Sequence, residues 1–279
     1  MSVGEAQTRL ERAFGDAGLA QPRTEALALL EGLLGLSRTE LLLSRSRELT
    51  AQQERRLAGW LARRLGREPV QHILGAAHFY GLKLSVTPAV LIPRPETERL
   101  VELVLADLRG VGGPKVLDVG TGSGAIALAL KAERPDAEVW ASDVSGAALE
   151  VARNNGLRYG LELEFVRSDV LAAAELQTFA ARADLVVANL PYLPERDRGW
   201  VSPEVRRDPE LALYAGEDGL ALYRRLEREA WALLRPGARL WLELDPRNID
   251  AAAALAGAWA AFGVLEDLAG RRRFLRLLR

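Results

Sequence analysis

Apolar residues are spaced in two different ways along this chain, and the change of spacing divides it. Over residues 1–75 they recur at helical intervals: Leu10, Ala13, Phe14 and Ala17, then Ala26, Leu27, Leu29, Leu30, Leu33 and Leu34 behind Pro22, where a helix would begin. Thr50, with Gln53 three residues on, predicts the capped start of a helix through Leu57, Trp60, Leu61 and Leu65. The texture then changes. Residues 78–86 read as two short strands about Gly81, and Pro93 and Pro95 fix residues 91–95 as extended before a helix beginning near Glu96. A segment so rigid, bearing Arg94, is more than a linker needs. From Lys115 onward short apolar runs alternate with helical stretches. Strands are expected at 116–119, 138–141, 163–166, 184–188 and 239–244, with a closing hairpin of 264–267 and 273–278 about Gly270. Runs this continuously apolar suit strands covered on both faces, as in a parallel sheet. The expected architecture is α/β. A mostly parallel seven-stranded sheet over residues 93–279 follows a small all-α domain (1–75) and a β-hairpin linker (76–92).

Composition narrows the possibilities. Of 279 residues, 49% are hydrophobic and 27% charged, the balance of an ordinary globular protein. No apolar run approaches the roughly 18 residues of a membrane span, and the first residues lack the layout of a secretory signal, so a cytoplasmic location is expected. The absence of Cys excludes thiolate chemistry and disulfides. Two histidines, His72 and His78, read as packing or surface residues, and they are too few for a histidine metal site; no metal is expected. A net charge of −1 and a pI near 6.3 weigh against a general nucleic-acid binder.

Candidate chemistry gathers where the strands are expected to end. Gly120-Thr121-Gly122-Ser123-Gly124 joins the first strand to its helix, and glycines there let the backbone turn tightly and approach a ligand. Asp143 follows about 20 residues on, where an acidic side chain can take ribose hydroxyls. Ser168-Asp169-Val170 ends the third strand. The fourth ends in Asn189-Leu190-Pro191-Tyr192. There Asn189 and the Leu190 carbonyl can accept both hydrogens of a planar amino group, while the Tyr192 ring stacks on its plane. Such a clamp leaves the nitrogen lone pair facing an electrophile. Read with Ala125, the glycine loop also satisfies the dinucleotide fingerprint, which keeps a nicotinamide dehydrogenase open. Three features favour S-adenosylmethionine instead. Asp118 lies inside the first strand, where a dinucleotide fold needs only apolar residues. Asp169 is placed to meet an adenine edge. The fourth strand ends in an amino-group clamp rather than in hydride-transfer machinery.

Arg67-Glu68-Pro69-Val70-Gln71-His72-Ile73-Leu74-Gly75, residues 91–98, Asp118 to Gly124, the Asn189 tetrapeptide and Gly216-Glu217-Asp218-Gly219-Leu220 together resemble the HemK/PrmC family over nearly the whole chain. These are the N5-glutamine methyltransferases of peptide chain release factors. The resemblance implies a Rossmann-like S-adenosylmethionine-dependent methyltransferase fold. It implies that Gly120, Thr121, Gly122, Ser123, Gly124 and Asp143 bind S-adenosylmethionine, with Val170 beside its adenine, and Asp169 and Asn189 completing the cofactor site. It further implies that Asn189, Leu190, Pro191 and Tyr192 hold the target glutamine, Asn189 and Tyr192 being the catalytic pair. The implied substrate is the Gln of the Gly-Gly-Gln loop in class-1 release factors, docked with help from the helical domain, and the product cofactor is S-adenosylhomocysteine. A monomer is expected. Two departures stand out. The family usually has Asn-Pro-Pro-Tyr; Leu190 keeps the carbonyl but loses the proline constraint and gains an N–H. Asn-Leu-Pro-Tyr is also similar to the clamp of ribosomal RNA adenine dimethyltransferases, so adenine N6-methyl transfer on RNA or DNA is the alternative. Asp245 stands where the family usually has Gly, and His72 where it often has Tyr.

Overall fold

A computed structural model describes all 279 residues, and they divide into two compact units. One comprises Met1–Ala76 with Pro203–Arg207, the other Ala77–Ser202 with Asp208–Arg279. No helix is long and apolar enough to cross a membrane.

The first unit contains α1 (Val3–Asp16), α2 (Pro22–Leu34), α3 (Arg38–Leu43), α4 (Ala51–Leu65) and α5 (Val70–Leu74). Their apolar stripes, among them Leu10, Phe14, Leu29, Leu30, Leu57 and Trp60, close on one core. Thr50 and Gln53 form the expected capping box, and Ser2 with Glu5 and Ser37 with Glu40 form two more. Each satisfies backbone N–H groups that a helix start would leave without partners. Residues 203–207 join these helices through a buried cation. Arg64 on α4 is 3% exposed, and its guanidinium meets Glu25 on α2 at 2.5 Å and Glu204 at 3.2 Å. A charge so buried persists only where carboxylates surround it.

A hairpin of β1 (Ala76–Phe79), whose first residue belongs to the helical unit, and β2 (Leu82–Ser85) opens the second unit, which continues through α6 (Pro95–Asp107), β3 (Lys115–Val119), α7 (Ala125–Glu133) and β4 (Glu138–Asp143). Then come α8 (Gly146–Tyr159), β5 (Glu164–Arg167), α9 (Ala174–Ala180), β6 (Leu185–Ala188) and α10 (Ala221–Leu233). β7 (Arg239–Glu243), α11 (Ile249–Leu255), β8 (Ala261–Glu266) and β9 (Arg272–Leu278) complete it. The seven strands lie in the order β5-β4-β3-β6-β7-β9-β8, parallel through β7, with β9 antiparallel to both its neighbours. β6 is buried along its whole length, as its continuous Leu-Val-Val-Ala run requires. The chain runs outward from β3 to β5 and returns to β6 on the other side of β3. That reversal opens a crevice at the carboxyl ends of β3 and β6.

The hairpin, expected as a linker, groups with the α/β unit. Asn155 on α8, fully buried, accepts from the Ser85 N–H at 2.7 Å and donates to the Ser85 and Ser123 carbonyls. One side chain thus ties β2 to the glycine loop. Between β6 and α10 the chain makes three short 3-10 turns, Glu195–Gly199, Val205–Arg207 and Glu210–Ala212. Neither periodicity marks these, because no apolar face repeats in them.

At its far end α6 is locked to the sheet by Asp107. This carboxylate accepts from Trp241 Nε1 on β7 at 2.9 Å and from Arg276 Nε and Nη2 on β9 at 2.8 and 2.9 Å. Burial works against its charge, but the Arg276 bonds hold it below the usual carboxylate range. Asp107→Ala should destabilise the protein by about 2–4 kcal/mol in urea unfolding, since an indole and a guanidinium lose their acceptor together. A loss under about 0.5 kcal/mol, the value of a surface pair, would contradict this.

Candidate active site

A cavity of about 580 Å3 lies at the carboxyl edge, within the size range of small-molecule sites. The residues after β3, β4, β5 and β6 all reach it, as do Leu91, Pro93, Arg94 and Thr97 from the approach to α6. The sheet therefore brings together residues that lie far apart in sequence.

The glycine loop forms its floor. Gly120 and Gly122 have φ of 76° and 57°, values that side chains rarely adopt. A Cβ on Gly122 would meet no protein atom within 4 Å, so the loop presents bare backbone to the cavity it lines. A Cβ on Gly120 would come within 2.6 Å of Leu190 Cδ2, so the loop after β3 and the segment after β6 interlock. Gly124 is not on the cavity wall; a Cβ there would press on Leu128 and Ala152, so it serves the packing of α7 on α8. Asp143 accepts from the Gly122 N–H and from the Ser145 N–H, each at 2.9 Å. Burial raises its pKa, and those backbone bonds oppose the rise. Asp143 thus stiffens the loop while lining the cavity, where its oxygens keep lone pairs for hydroxyl donors.

Val170 has a φ of 55°, an unfavourable conformation for a β-branched residue. The turn around it is fixed from α10. Arg225 donates to Asp169 Oδ2 at 2.6 Å and to the Asp169 carbonyl at 2.9 Å, while Glu229 accepts from the Leu171 N–H at 3.1 Å. Asp169 lines the cavity, but its carboxylate is paired with Arg225 rather than turned wholly to a ligand. Val170 supplies an apolar wall beside it.

Asn189, Leu190 and Pro191 line the cavity; Tyr192 does not. The phenol instead sits among Glu243, Arg273, Arg94 and Asp245, and burial pushes its pKa far above the usual range. The expected stacking of this ring on a bound amino group is therefore not prepared in the cavity wall. The segment after Tyr192 is fixed by close backbone approach. Asn248 Nδ2 donates to the Tyr192 carbonyl at 3.3 Å, and a Cβ on Gly219 would lie only 2.2 Å from that carbonyl oxygen.

Several site residues escaped the sequence reading. Arg94 pairs with the buried Asp208 at 2.6 Å, which explains the rigid proline segment that carries it. Thr97 accepts from Asn189 Nδ2 at 3.0 Å. Glu243, 1% exposed, is pushed up to about 7 by burial, with Thr97, Arg273 and Arg94 pulling it back. Asp245 has a use of its own. Arg247 pairs with it at 2.6 Å and with Asp197 at 2.7 Å, tying the end of β7 to the turn beyond the tetrapeptide. Arg94 and Thr97 lie in the 91–98 segment, so their place there was a signal; nothing local marked Glu243.

Residues 5–75 match the PrmC N-terminal domain and residues 97–200 the methyltransferase small domain. A release factor glutamine methyltransferase of Deinococcus radiodurans is 47% identical over 277 residues, 99% of this chain and 96% of that protein. Another, from Caulobacter vibrioides, is 38% identical over 98% of this chain and 95% of its own length. Among solved structures, the T. thermophilus 16S rRNA N2 G1207 methyltransferase has a TM-score of 0.52 at 23% identity, covering 73% of this chain and 49% of that one. The hMettl16 catalytic domain has a TM-score of 0.54 at 16% identity, covering 82% and 81%. These two likenesses show the methyltransferase fold.

Asp118 is fully buried between the loop and α7, accepting from Thr121 Oγ1 at 2.6 Å and from the Ala127 N–H at 3.2 Å. Burial pushes it up to about 7, whereas an unfolded aspartate titrates near 4. Between those values the folded protein binds a proton that the unfolded chain has released. The stability present below the unfolded pKa is therefore lost as pH rises through about 7. Asp118→Asn cannot ionise, so its urea-unfolding free energy should fall less than the wild type's between about pH 5 and about pH 8. Identical falls would show that Asp118 is not protonated in the fold.

Proposed function

The chain belongs to the release factor glutamine methyltransferases, and from that premise we propose that its cavity holds S-adenosylmethionine beside the glutamine amide of a class-1 release factor. The reaction is methyl transfer to the side-chain nitrogen of the Gln in the Gly-Gly-Gln loop. The observation that carries the residue assignment is the convergence of the glycine loop, Asp143, Val170 and the Asn189-Leu190-Pro191 segment on one cavity.

The residues present fit the cofactor. Gly120 to Ser123 offer bare backbone, Asp143 an acceptor for ribose hydroxyls, and Val170 an apolar surface for a base. Asp169 adds a carboxylate to the same wall, and Asn189 lines the cavity with it. The cofactor, when bound, supplies an electrophilic sulfonium methyl group. Transfer of that methyl would form an N–C bond at the amide nitrogen as the S–C bond broke, the electron pair staying on sulfur, and the nitrogen would then release a proton. An amide lone pair is delocalised into its carbonyl, so the protein's task is to orient it. Asn189 Oδ1 and the Leu190 carbonyl accept the amide hydrogens, which become more acidic as the nitrogen gains positive character. Acceptors that strengthen in this way lower the barrier without a dedicated base. Pro191 fixes the direction of the Leu190 carbonyl. Tyr192, half-buried, follows this segment and does not line the cavity.

Leu190 leaves adenine transfer on RNA or DNA as the alternative, but full-length similarity to glutamine methyltransferases and a net charge of −1 favour the protein substrate. The helical unit, which matches the PrmC N-terminal domain, is the part proposed to help dock the release factor. Such a substrate implies a cytoplasmic setting.

The deciding assay incubates the protein with isotopically labelled cofactor and a purified release factor, and locates the label by mass spectrometry. Label is expected on the loop Gln and absent from a factor carrying Gly-Gly-Ala. Asn189→Ala should lower kcat about 100-fold or more while leaving cofactor affinity nearly unchanged. Label on ribosomal RNA with none on any release factor would overturn the substrate, and an undiminished Asn189→Ala variant would overturn the clamp.

A further inference from the structure

A polar group in a cavity wall discriminates between ligands only if its direction is fixed. Past the end of β5, that direction is set from α10. Leu222, Arg225 and Glu229 fall at helical intervals, so they share one face of this helix. Leu222 lines the cavity, and the other two grip the turn beside it. Arg225 Nη1 donates to Asp169 Oδ2 at 2.6 Å, and Nη2 donates to the Asp169 carbonyl at 2.9 Å. Its Nε donates to Glu229 Oε1 at 2.8 Å, and Glu229 Oε2 accepts from the Leu171 N–H at 3.1 Å. One guanidinium and one carboxylate thus hold the chain on both sides of Val170.

Val170 needs holding. Its φ of 55° is a conformation that a β-branched residue keeps only where the surroundings impose it. Ser168, Asp169 and Val170 all line the cavity, whereas Arg225 and Glu229 do not. Both of the latter are partly exposed, and an exposed ion pair between them adds little to stability by itself. Their bonds are instead spent on the direction of the Asp169 carboxylate and on the backbone beside it.

That direction has a chemical consequence. A carboxylate paired with a guanidinium can only accept, and with Oδ2 on Arg225 it keeps Oδ1 for a ligand. The exocyclic amine of adenine donates hydrogens, whereas an oxo group in its place can only accept. A fixed acceptor takes the first and repels the second; a mobile one would swing away into solvent. We propose that Arg225 and Glu229 are positioning residues that, through Asp169, make the base end of the cavity select an aminopurine over an oxopurine. The inference rests on the reading of the cavity as the S-adenosylmethionine site with its base beside Val170.

Calorimetry with S-adenosylhomocysteine and its oxopurine analogue, S-inosylhomocysteine, tests it. The wild type should favour S-adenosylhomocysteine by about 10- to 100-fold, the range of one hydrogen bond to a charged acceptor. Arg225→Met should weaken S-adenosylhomocysteine about tenfold and S-inosylhomocysteine less than about twofold, so that the preference collapses. Glu229→Gln, which loosens both Arg225 and Leu171, should reduce the preference in the same direction. Arg225→Lys keeps a donor for Asp169 and should restore part of it. At saturating cofactor, kcat should change less than about twofold in each variant, because the reacting end is untouched. Thermal unfolding identifies a misfolded Arg225→Met, in which case Arg225→Lys and Glu229→Gln decide. Equal wild-type affinity for the two ligands would overturn the inference, as would a wild-type preference in the folded variants. A parallel weakening of both ligands would mark a merely structural role and overturn it too. A wild-type protein that binds neither ligand would defeat the cofactor reading and this inference with it.

Discussion

A parallel sheet covered on both faces leaves one place for polar side chains, the edge where its strands end. β3 and β6 are buried along nearly their whole length, so no hydrophilic group can be carried on their faces without a partner. Asp118 is the one charged-type residue buried inside β3, and its bonds to Thr121 and Ala127 show the cost of that position. Other polar groups gather where strands finish: Asp143 and Glu243 are the last residues of β4 and β7, and Asp169 and Asn189 lie just past β5 and β6. The site is thus a consequence of the sheet rather than an addition to it. The reversal of strand order beside β3 determines which four ends face one another.

At that edge the residues hold one another before any ligand arrives. Asp143 ties its strand end to the Gly122 amide, Arg225 and Glu229 fix the turn at Val170, and Thr97 takes the Asn189 amide. Each link restrains a group that would otherwise lose conformational freedom on binding, which is where preorganised sites gain their rate. The two departures from the family pattern fit the same scheme. Leu190 covers Gly120, so the lost proline ring is replaced by a side-chain contact on the glycine loop. Asp245 brings in Arg247, and through it Asp197, to anchor the chain beyond the clamp.

Much of this was legible in the sequence, for identifiable reasons. Strands 116–119 and 184–188 were plain because continuous apolar runs bounded by turn residues have few other uses. The convergence of the glycine loop, Asp143 and Asn189 was legible because residues at the ends of parallel strands meet at one sheet edge, and Gly120, Gly122, Asp143 and Asn189 line one cavity there. Links between distant segments were not. Thr97 to Asn189, Arg94 to Asp208 and Asn155 to Ser85 join residues whose relation exists only after the sheet forms. The placement of Tyr192 illustrates the same limit. The tetrapeptide suggested a ring facing the substrate, whereas the grouping of its phenol with Glu243, Arg273, Arg94 and Asp245 could not be read from four residues. The hairpin at 76–85 was legible as strands, but its attachment through Asn155 and Tyr159 of α8 was not.

In the proposed reaction, Asn189 Oδ1 and the Leu190 carbonyl together receive the hydrogens of the target amide. A crystal structure of the protein with S-adenosylhomocysteine and a release factor bearing its Gly-Gly-Gln loop tests this most directly. The account predicts the glutamine Nε2 within about 3 Å of both oxygens, with Asn189 Nδ2 still on Thr97. A glutamine nitrogen held by other groups, or Asn189 turned so that Nδ2 meets the substrate, would contradict it.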